Sequence, residues 1–440
     1  MESPKPNNRS AFIIVTTLFF MWGFITVLVD ALIPRLRDVF ELSYFEAGLV
    51  QFSFMAYFLV SIPSGSLIAR IGYKKGVIVG LITMGAGCLI FFPAASLRLF
   101  PVFLLALFVL ASGITILQVA ANPYVAALGP AKTASSRLNL SQAFNSLGTT
   151  IAPLVSAAFI LGSSVASKTE VDAMSTLQQE AYFAAEASSV QGPFLVLAVV
   201  LIVLAGVFAV FKLPKILEGD EDKGGSYREA LKTKHLMFGA IGIFVYVGAE
   251  VTIGSYLVNY FLSLDIKSLI LDSGFMRTIA EFLSGSDLKE LNVSRLAGTF
   301  VFFYWFGAMI GRFIGAALQL KIKPSKLLSA YALINVVLLT ITILSTSYFA
   351  FWTVLSIGLF NSIMFPTIFT LSIDGLKNNT AQGSGILCTA IVGGAIIPPL
   401  YGFFADALSL QLAFIVPILC YLYIAWYGKY LSGRKNLEMS

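Results

Sequence analysis

Long apolar runs alternate with short polar connections along the chain. Twelve of these runs reach about 20 residues, the length of an α-helix that crosses the hydrocarbon core of a bilayer. Because backbone polar groups must be bonded within the segment there, we predict an all-α membrane protein with twelve transmembrane helices, called spans 1 to 12. The spans are predicted at residues 11–34, 45–69, 75–95, 99–128, 136–162, 190–211, 236–263, 296–320, 326–345, 348–373, 383–404 and 410–431.

The apolar runs fall into two sets of six, separated by a charged stretch that glycines interrupt. We predict an N-terminal six-helix half at residues 1–211, a cytoplasmic linker at 212–234 and a C-terminal six-helix half at 235–440. Two other connections are long. Residues 163–189 are small and polar, whereas residues 264–294 mix charges of both signs and are expected to carry a short surface helix.

The two halves also resemble each other. Three pairs of glycine or proline residues are separated by nearly the same offset, between 242 and 245 residues. These pairs are Gly65 with Gly307, Pro123 with Pro366, and Pro153 with Pro398. Pseudo-symmetric halves with a binding site near the membrane midplane between them are typical of secondary transporters. The repeat therefore favours a transporter over a channel.

Composition and charge agree with a membrane location. The chain is 58% hydrophobic and 12% charged, whereas soluble domains are about 25% charged. With both termini cytoplasmic, the cytoplasmic segments hold 20 of the 29 lysines and arginines and the outer segments hold 8. This excess is the usual orientation signal. We expect a multi-pass protein of the plasma membrane (the inner membrane of a bacterium) with both termini cytoplasmic, and no nucleic-acid partner.

Side chains for covalent or metal chemistry are scarce. The single histidine, His235, borders a loop, and three cysteines lie in apolar runs without the spacing of metal ligands. The sequence contains no nucleophile–base pair and no phosphate-cradling loop. We therefore expect no enzymatic activity, no bound metal and no cofactor other than a coupling ion.

The stretch from Gly113 to Gly148 is the most informative part of the sequence, because it places five amide side chains in two adjacent spans. An amide in hydrocarbon is costly unless it faces a watery cavity or a partner on another helix. Five amides at helical spacing favour a polar cavity over bonding between helices. With two amides in spans 7 and 10, the predicted substrate-binding residues are Gln118, Asn122, Asn139, Gln142, Asn145, Asn259 and Asn361.

Such a cavity fits a small neutral sugar. A hexose has several hydroxyl groups, and amides can both donate hydrogen bonds to them and accept hydrogen bonds from them. A carrier of phosphate or dicarboxylate would instead need arginine or lysine in its cavity. Arg312 lies within span 8 but toward its inner end, so we predict a gating or structural role for it.

Two carboxylates within spans are candidates for cation coupling. Asp30 lies in the outer part of span 1, where apolar surroundings would help it to take up a proton; alternatively it is solvated or pairs with Arg35 or Arg37. Glu250 lies in the middle of span 7, where it binds a cation or substrate or pairs with Arg312. Sodium is the other candidate ion, since Asp30 and the Gln118 carbonyl offer the oxygen ligands that hard cations take.

The connection between spans 2 and 3 resembles a known loop. Its sequence GSLIARIGYKK, from Gly65, is similar to the Gly-x-Leu-x-Asp-Arg-x-Gly-Arg-Arg loop of the major facilitator superfamily, with Ala69 at the acidic position. The resemblance implies structural or gating roles for Gly65, Arg70 and Gly72, and a major facilitator fold.

A closer resemblance covers nearly the whole chain. The stretches FFMWGFITVLVDALIP, AANPYVAALGP, RLNLSQAFNSLG and YVGAEVTIGSYLVNY are similar to the fucose/glucose/galactose symporter family. The resemblance implies that Asp30 takes part in proton coupling and sugar recognition and that Gln142 and Asn145 contact sugar. Gln118 occupies the place of a second glutamate in fucose permeases. This difference favours the glucose/galactose branch.

The sequence therefore predicts a monomeric secondary active transporter that imports a neutral hexose of the glucose/galactose type by symport with a cation, with H⁺ favoured over Na⁺. Fucose and N-acetylglucosamine remain alternative substrates. A membrane sugar sensor that binds without transport remains the alternative outside transport.

Overall fold

A computed structural model describes residues 8–40, 55–97, 99–159, 173–214, 216, 225–284 and 293–433. Every regular element in these ranges is a helix, which confirms the predicted all-α class. Spans 1 to 6 correspond to the helices Asn8–Phe40, Met55–Ile71, Tyr73–Leu97, Phe100–Ala127, Ala134–Phe159 and Thr176–Val210. Spans 7 to 12 correspond to Lys234–Ser263, Val293–Leu318, Pro324–Leu344, Ser347–Asn361 with Met364–Ile373, Thr380–Thr389 with Gly393–Ala407, and Ile415–Ser432.

Each of the twelve predicted spans thus contains a helix. Ten helices in the described ranges are long and apolar enough to cross a membrane. The helices of spans 2 and 5 do not meet these requirements of length and hydrophobicity. The described helix of span 2 has only 17 residues, and the helix of span 5 carries the amides that lower its hydrophobicity.

Interruptions of the helices coincide with glycine and proline. Spans 2 and 3 are joined by Gly72 alone, whose φ of 83° lies in the left-handed region that glycine adopts without a steric penalty. Span 10 breaks shortly before Pro366, which has no N–H to donate to the preceding turn. Span 11 breaks at a short 3-10 turn, Ala390–Val392.

The connections contain more helix than the sequence predicts. The helix of span 6 begins at Thr176 rather than near residue 190, within the connection that the sequence shows to be small and polar. The connection between spans 7 and 8 carries two helices, Ile266–Asp272 and Gly274–Ser284. The described end of the linker forms the helix Tyr227–Lys232.

The chain divides into two compact units, and their boundaries differ from the predicted halves at two segments. Unit 1 comprises Met1–Gly129, Phe144–Ala230 and Leu376–Thr389, and unit 2 comprises Pro130–Ala143, Leu231–Gly375 and Ala390–Ser440. The first part of span 5 therefore belongs to unit 2, and the first part of span 11 belongs to unit 1. The two exchanged segments have equal lengths and begin 246 positions apart, at 130 and 376. This spacing extends the internal repeat.

Small residues allow helices to approach closely within each unit. In unit 1, a Cβ at Gly80 of span 3 would lie 3.0 Å from the Leu117 backbone nitrogen of span 4. In unit 2, Gly358 of span 10 lies directly against the backbone of Tyr304 in span 8. Contacts of this kind drive helix association where no hydrophobic effect operates between helices in lipid. They fix the positions of the spans that carry the polar residues.

Candidate functional site

The predicted amides of span 4 are buried in unit 1. Gln118 exposes 6% of its surface, and its side-chain nitrogen donates a hydrogen bond to the Tyr57 hydroxyl of span 2 at 2.7 Å. Asn122 lies one turn later and is fully buried. A glutamine amide has two N–H donors and a carbonyl acceptor, so the bond to Tyr57 orients Gln118 without using all of its capacity.

Asn145 lies where span 5 packs closely against span 1 in unit 1. Its side-chain nitrogen donates a hydrogen bond to the Phe19 carbonyl at 2.9 Å. Glycine permits this approach, because a Cβ at Gly23 would lie 2.8 Å from the same nitrogen. The amide of Asn145 is therefore held in one orientation while the residue remains partly exposed.

Asn139 has a different environment, in unit 2. It is fully buried, and its side-chain nitrogen donates to the Gln319 carbonyl oxygen of span 8 at 2.6 Å. The Gln319 amide in turn donates to the Thr367 hydroxyl of span 10 at 2.7 Å. These contacts match the alternative to a polar cavity, in which an amide forms a hydrogen bond from one helix to another. The Asn139 nitrogen therefore serves helix packing, whereas its carbonyl oxygen is buried without a partner among the described residues, and a sugar contact there stays a prediction.

Gln142 lies one helical turn after Asn139 and exposes 7% of its surface. It belongs to the same exchanged segment, and span 5 passes from unit 2 into unit 1 after Ala143. The predicted sugar-contacting role of Gln142 stays a prediction.

Asn361 of span 10 is the centre of a buried hydrogen-bond network in unit 2. Its carbonyl oxygen accepts from the Tyr421 hydroxyl at 2.6 Å and from the Asn335 side chain at 2.9 Å. Its nitrogen donates to the Tyr304 hydroxyl at 2.7 Å. A carbonyl oxygen has two lone pairs, so the acceptor capacity of Asn361 is filled by protein groups. Asn361 therefore links spans 8, 9, 10 and 12, and its direct contact with sugar stays a prediction.

Glu250 and Arg312 form an ion pair in unit 2, one of the alternatives that the sequence leaves open. The Arg312 Nη2 atom lies 3.9 Å from the Glu250 Oε1 atom, and the side chains are 16% and 14% exposed, respectively. Arg312 also donates from Nε to the Ser362 carbonyl at 3.2 Å. The pair therefore neutralises two charges within the membrane and links spans 7, 8 and 10.

The loop between spans 2 and 3 has the features expected of a structural motif. Gly72 adopts the left-handed backbone of the tight turn, and Arg70 is exposed. Gly65 is buried against the Ala381 carbonyl of span 11, to which a Cβ at Gly65 would lie at 2.7 Å. The acidic position of the family loop is Ala69 here, so no carboxylate is available at that position.

Two predicted residues cannot be placed in a site. Asp30 lies in the helix of span 1, but its side chain is outside the described part of the structure. Asn259 lies in span 7 and is exposed. In the described ranges no three His, Cys, Asp or Glu side chains are grouped to hold a metal ion. Sodium binding at Asp30 and Gln118 therefore stays a prediction.

Comparison with known proteins identifies the family. Residues 11–391 match the family model described as the Major Facilitator Superfamily. The chain belongs to this superfamily. It is 49% identical to a glucose/galactose transporter of Brucella abortus, over 99% of this chain and 96% of the relative. It is 33% identical to the L-fucose-proton symporter of Escherichia coli, over 96% of this chain and 93% of the relative.

A solved structure agrees with this membership. The crystal structure of FucP, a Major Facilitator Superfamily transporter in the outward conformation, matches with a TM-score of 0.85 at 31% identity, over 96% of this chain and 99% of FucP. The major facilitator fold and the resemblance to the fucose/glucose/galactose symporter family are therefore confirmed. This member of the superfamily is a multi-pass membrane transporter and not an enzyme.

Sequence reasoning missed several polar residues of this superfamily member. Tyr57 and Gln319 hold two of the predicted amides, but neither is distinctive in the sequence. A tyrosine in a span is typical of the membrane interface, and Gln319 stands beside the charged end of span 8.

Proposed function

We propose that this transporter imports a neutral hexose of the glucose/galactose type by symport with a cation, with H⁺ favoured. The observation that carries the proposal is the 49% identity, across 99% of the chain, to a relative named as a glucose/galactose transporter. The more distant relative named as an L-fucose-proton symporter supports both the sugar class and the proton.

The amide chemistry supports a sugar substrate. Gln118 and Asn145 are each oriented by one bond to a neighbouring helix and keep donors and acceptors for a polar ligand. Gln142 completes the proposed set of sugar contacts. The glutamine at position 118 is neutral where fucose permeases carry a glutamate, so we favour glucose and galactose over fucose.

Asp30 is the proposed coupling residue. A carboxylate in apolar surroundings takes up a proton more readily than one in water, because burial disfavours its charged form. Alternating access then requires that the loaded and empty forms of the carrier differ in their preferred conformation. Sodium is the second candidate ion, with Asp30 and Gln118 supplying oxygen ligands.

The proposed location is the plasma membrane, or the inner membrane of a bacterium, with both termini in the cytoplasm. The bias of lysine and arginine toward the side that holds the linker and termini supports this orientation. We propose that the transporter works as a monomer.

The substrate is tested by counterflow in proteoliposomes. Vesicles loaded with unlabelled galactose should take up labelled glucose, and external glucose and galactose should compete, whereas fucose and N-acetylglucosamine compete weakly. Preferential competition by fucose or N-acetylglucosamine would overturn the substrate assignment. Tight sugar binding without any counterflow would instead indicate a sensor.

A further inference from the structure

The end of the linker is docked in unit 1 by one tyrosine side chain. Tyr227, the first residue of the linker helix, donates a short hydrogen bond from its hydroxyl to the Ile62 carbonyl of span 2. The hydroxyl lies against two glycines. A Cβ at Gly385 of span 11 would lie 2.8 Å from the Tyr227 hydroxyl oxygen, and a Cβ at Gly65 of span 2 would lie closer still. The tyrosine therefore occupies a notch that both spans form.

The linker backbone is bonded to the beginning of span 11 as well. The Ser226 N–H donates to the Asn379 side-chain oxygen at 2.8 Å, and the Gln382 side chain donates to the Gly225 carbonyl at 2.8 Å. The Asn379 side chain also donates to a Glu229 carboxylate oxygen at 3.3 Å. Residues 225–229 thus contact span 2 of one sequence half and span 11 of the other.

Among the residues that the structure describes, the first part of span 11 makes few direct hydrogen bonds to the spans of the N-terminal half. Gly65 lies against the Ala381 carbonyl, and the Ser384 hydroxyl donates to the Val119 carbonyl of span 4 at 2.8 Å. The first part of span 11 is therefore held in unit 1 by small-residue packing, by this one hydroxyl bond and by the linker.

We propose that Tyr227 is a positioning residue for transport: together with residues 225–229 it forms a linker latch that keeps residues 376–389 seated on spans 2 and 4. This proposal depends on the proposed function in one respect only, because it requires that the transporter alternates between conformations. Releasing the latch should favour a conformation in which residues 376–389 leave spans 2 and 4 and the linker side of the protein opens.

The Tyr227 hydroxyl does not change its protonation state near neutral pH. Burial raises the pKa of Tyr227 to about 12, from an ordinary value near 10. A tyrosine with a raised pKa stays neutral and keeps its O–H donor below that value. We therefore expect the hydrogen bond from Tyr227 to Ile62 to hold equally at pH 6 and pH 8.

Cysteine labelling tests the latch directly. Cys388 lies in the exchanged part of span 11 and is buried, as are Cys88 in span 3 and Cys420 in span 12. Full-length protein in inside-out vesicles is treated with a membrane-impermeant maleimide, and modification of each cysteine is measured by peptide mass spectrometry. No sugar is needed, so the result is independent of the substrate assignment.

Tyr227→Phe removes the hydroxyl donor and keeps the ring. The loss of one hydrogen bond should raise the population of the open form about five-fold, and the labelling rate of Cys388 should increase by the same factor. Tyr227→Ala should increase it further. The control variant Arg228→Ala changes an exposed neighbour of Tyr227 on the same helix. In this variant Cys388 should be labelled at the parental rate.

The three cysteines separate a latch from a general loss of stability. Selective labelling of Cys388 in Tyr227→Phe, which keeps the aromatic ring, supports the latch. Equal increases in the labelling rates of Cys88, Cys388 and Cys420 would mean that the variant is destabilised throughout. A parental labelling rate of Cys388 in both Tyr227 variants would mean that the docked linker does not hold span 11. Either of these two results overturns the proposal.

Discussion

Amide side chains in the membrane have two kinds of environment in this protein. Asn361 and Asn139 are fully buried among protein partners, and the acceptor capacity of Asn361 is filled. Gln118 and Asn145 are oriented by a single bond each to a neighbouring helix. This difference separates residues that stabilise the fold from residues available to a ligand, and it leads to opposite expectations for their substitution.

Replacing Gln142 or Asn145 by alanine should weaken sugar binding while the protein still inserts and folds. Removing one hydrogen-bond partner from a bound sugar costs about 1–3 kcal/mol, or roughly ten- to a hundredfold in affinity. Isothermal titration calorimetry on the purified variants and on the parental protein measures this. Unchanged affinity in both variants would remove these residues from the site.

Replacing Asn361 by alanine should destabilise the protein. The substitution leaves the Tyr304, Tyr421 and Asn335 groups without their common partner, and each unsatisfied buried group costs about 1–3 kcal/mol. We expect a clearly lower melting temperature in detergent than for Asn259→Ala. A parental melting temperature combined with lost sugar binding would restore Asn361 as a sugar contact.

At the scale of the helices, the sequence predicts where the spans lie but not which spans contact each other. The twelve apolar runs and the glycine and proline positions are sufficient to predict the spans and the repeat, because bilayer thickness and backbone bonding constrain each helix locally. The exchange of residues 130–143 and 376–389 depends on contacts between distant segments. Ser135 bonds to Thr370 at 2.6 Å and Asn139 to Gln319, and no local pattern encodes these partners.

The positions of the amides along each helix could be predicted from the sequence, but their partners could not. Helical spacing puts Gln118 and Asn122 on one face of span 4, and the structure buries both of them. Spacing alone cannot tell whether the buried face of an amide meets another helix or a ligand, because both environments favour the same residue types. Asn139 and Asn361 illustrate this limit of prediction, because their partners lie on other spans and the sequence does not indicate which spans pack together.

The contacts of span 5 give a prediction at this scale. Asn139→Ala should lower thermal stability, because the Gln319 side-chain oxygen and the Thr367 hydroxyl each lose the hydrogen bond that Asn139 donates, at a cost of about 1–3 kcal/mol. Sugar affinity should stay within about twofold of the parent, in contrast to Gln142→Ala one turn away. Calorimetric titration and melting curves on the same two proteins distinguish them. If Asn139→Ala loses affinity without losing stability, the packing assignment is wrong.

Considered as a whole molecule, the protein is a Major Facilitator Superfamily transporter whose polar chemistry is sparse. Glu250 pairs with Arg312 within unit 2, and its part in cation coupling stays a prediction; Asp30 is the carboxylate that we propose for coupling. Asp30→Asn fixes this side chain in a neutral form. The variant should lose uphill accumulation of sugar while it retains some exchange of sugar down a gradient, because exchange does not require net movement of a proton.

Sugar uptake into proteoliposomes with separately imposed ion gradients tests the central claim most directly. An inward proton gradient without sodium should drive glucose or galactose above its external concentration and make the external medium more alkaline as sugar enters. An inward sodium gradient at equal pH on both sides should give no accumulation. Accumulation driven by sodium alone, with no alkalinisation, would contradict proton symport.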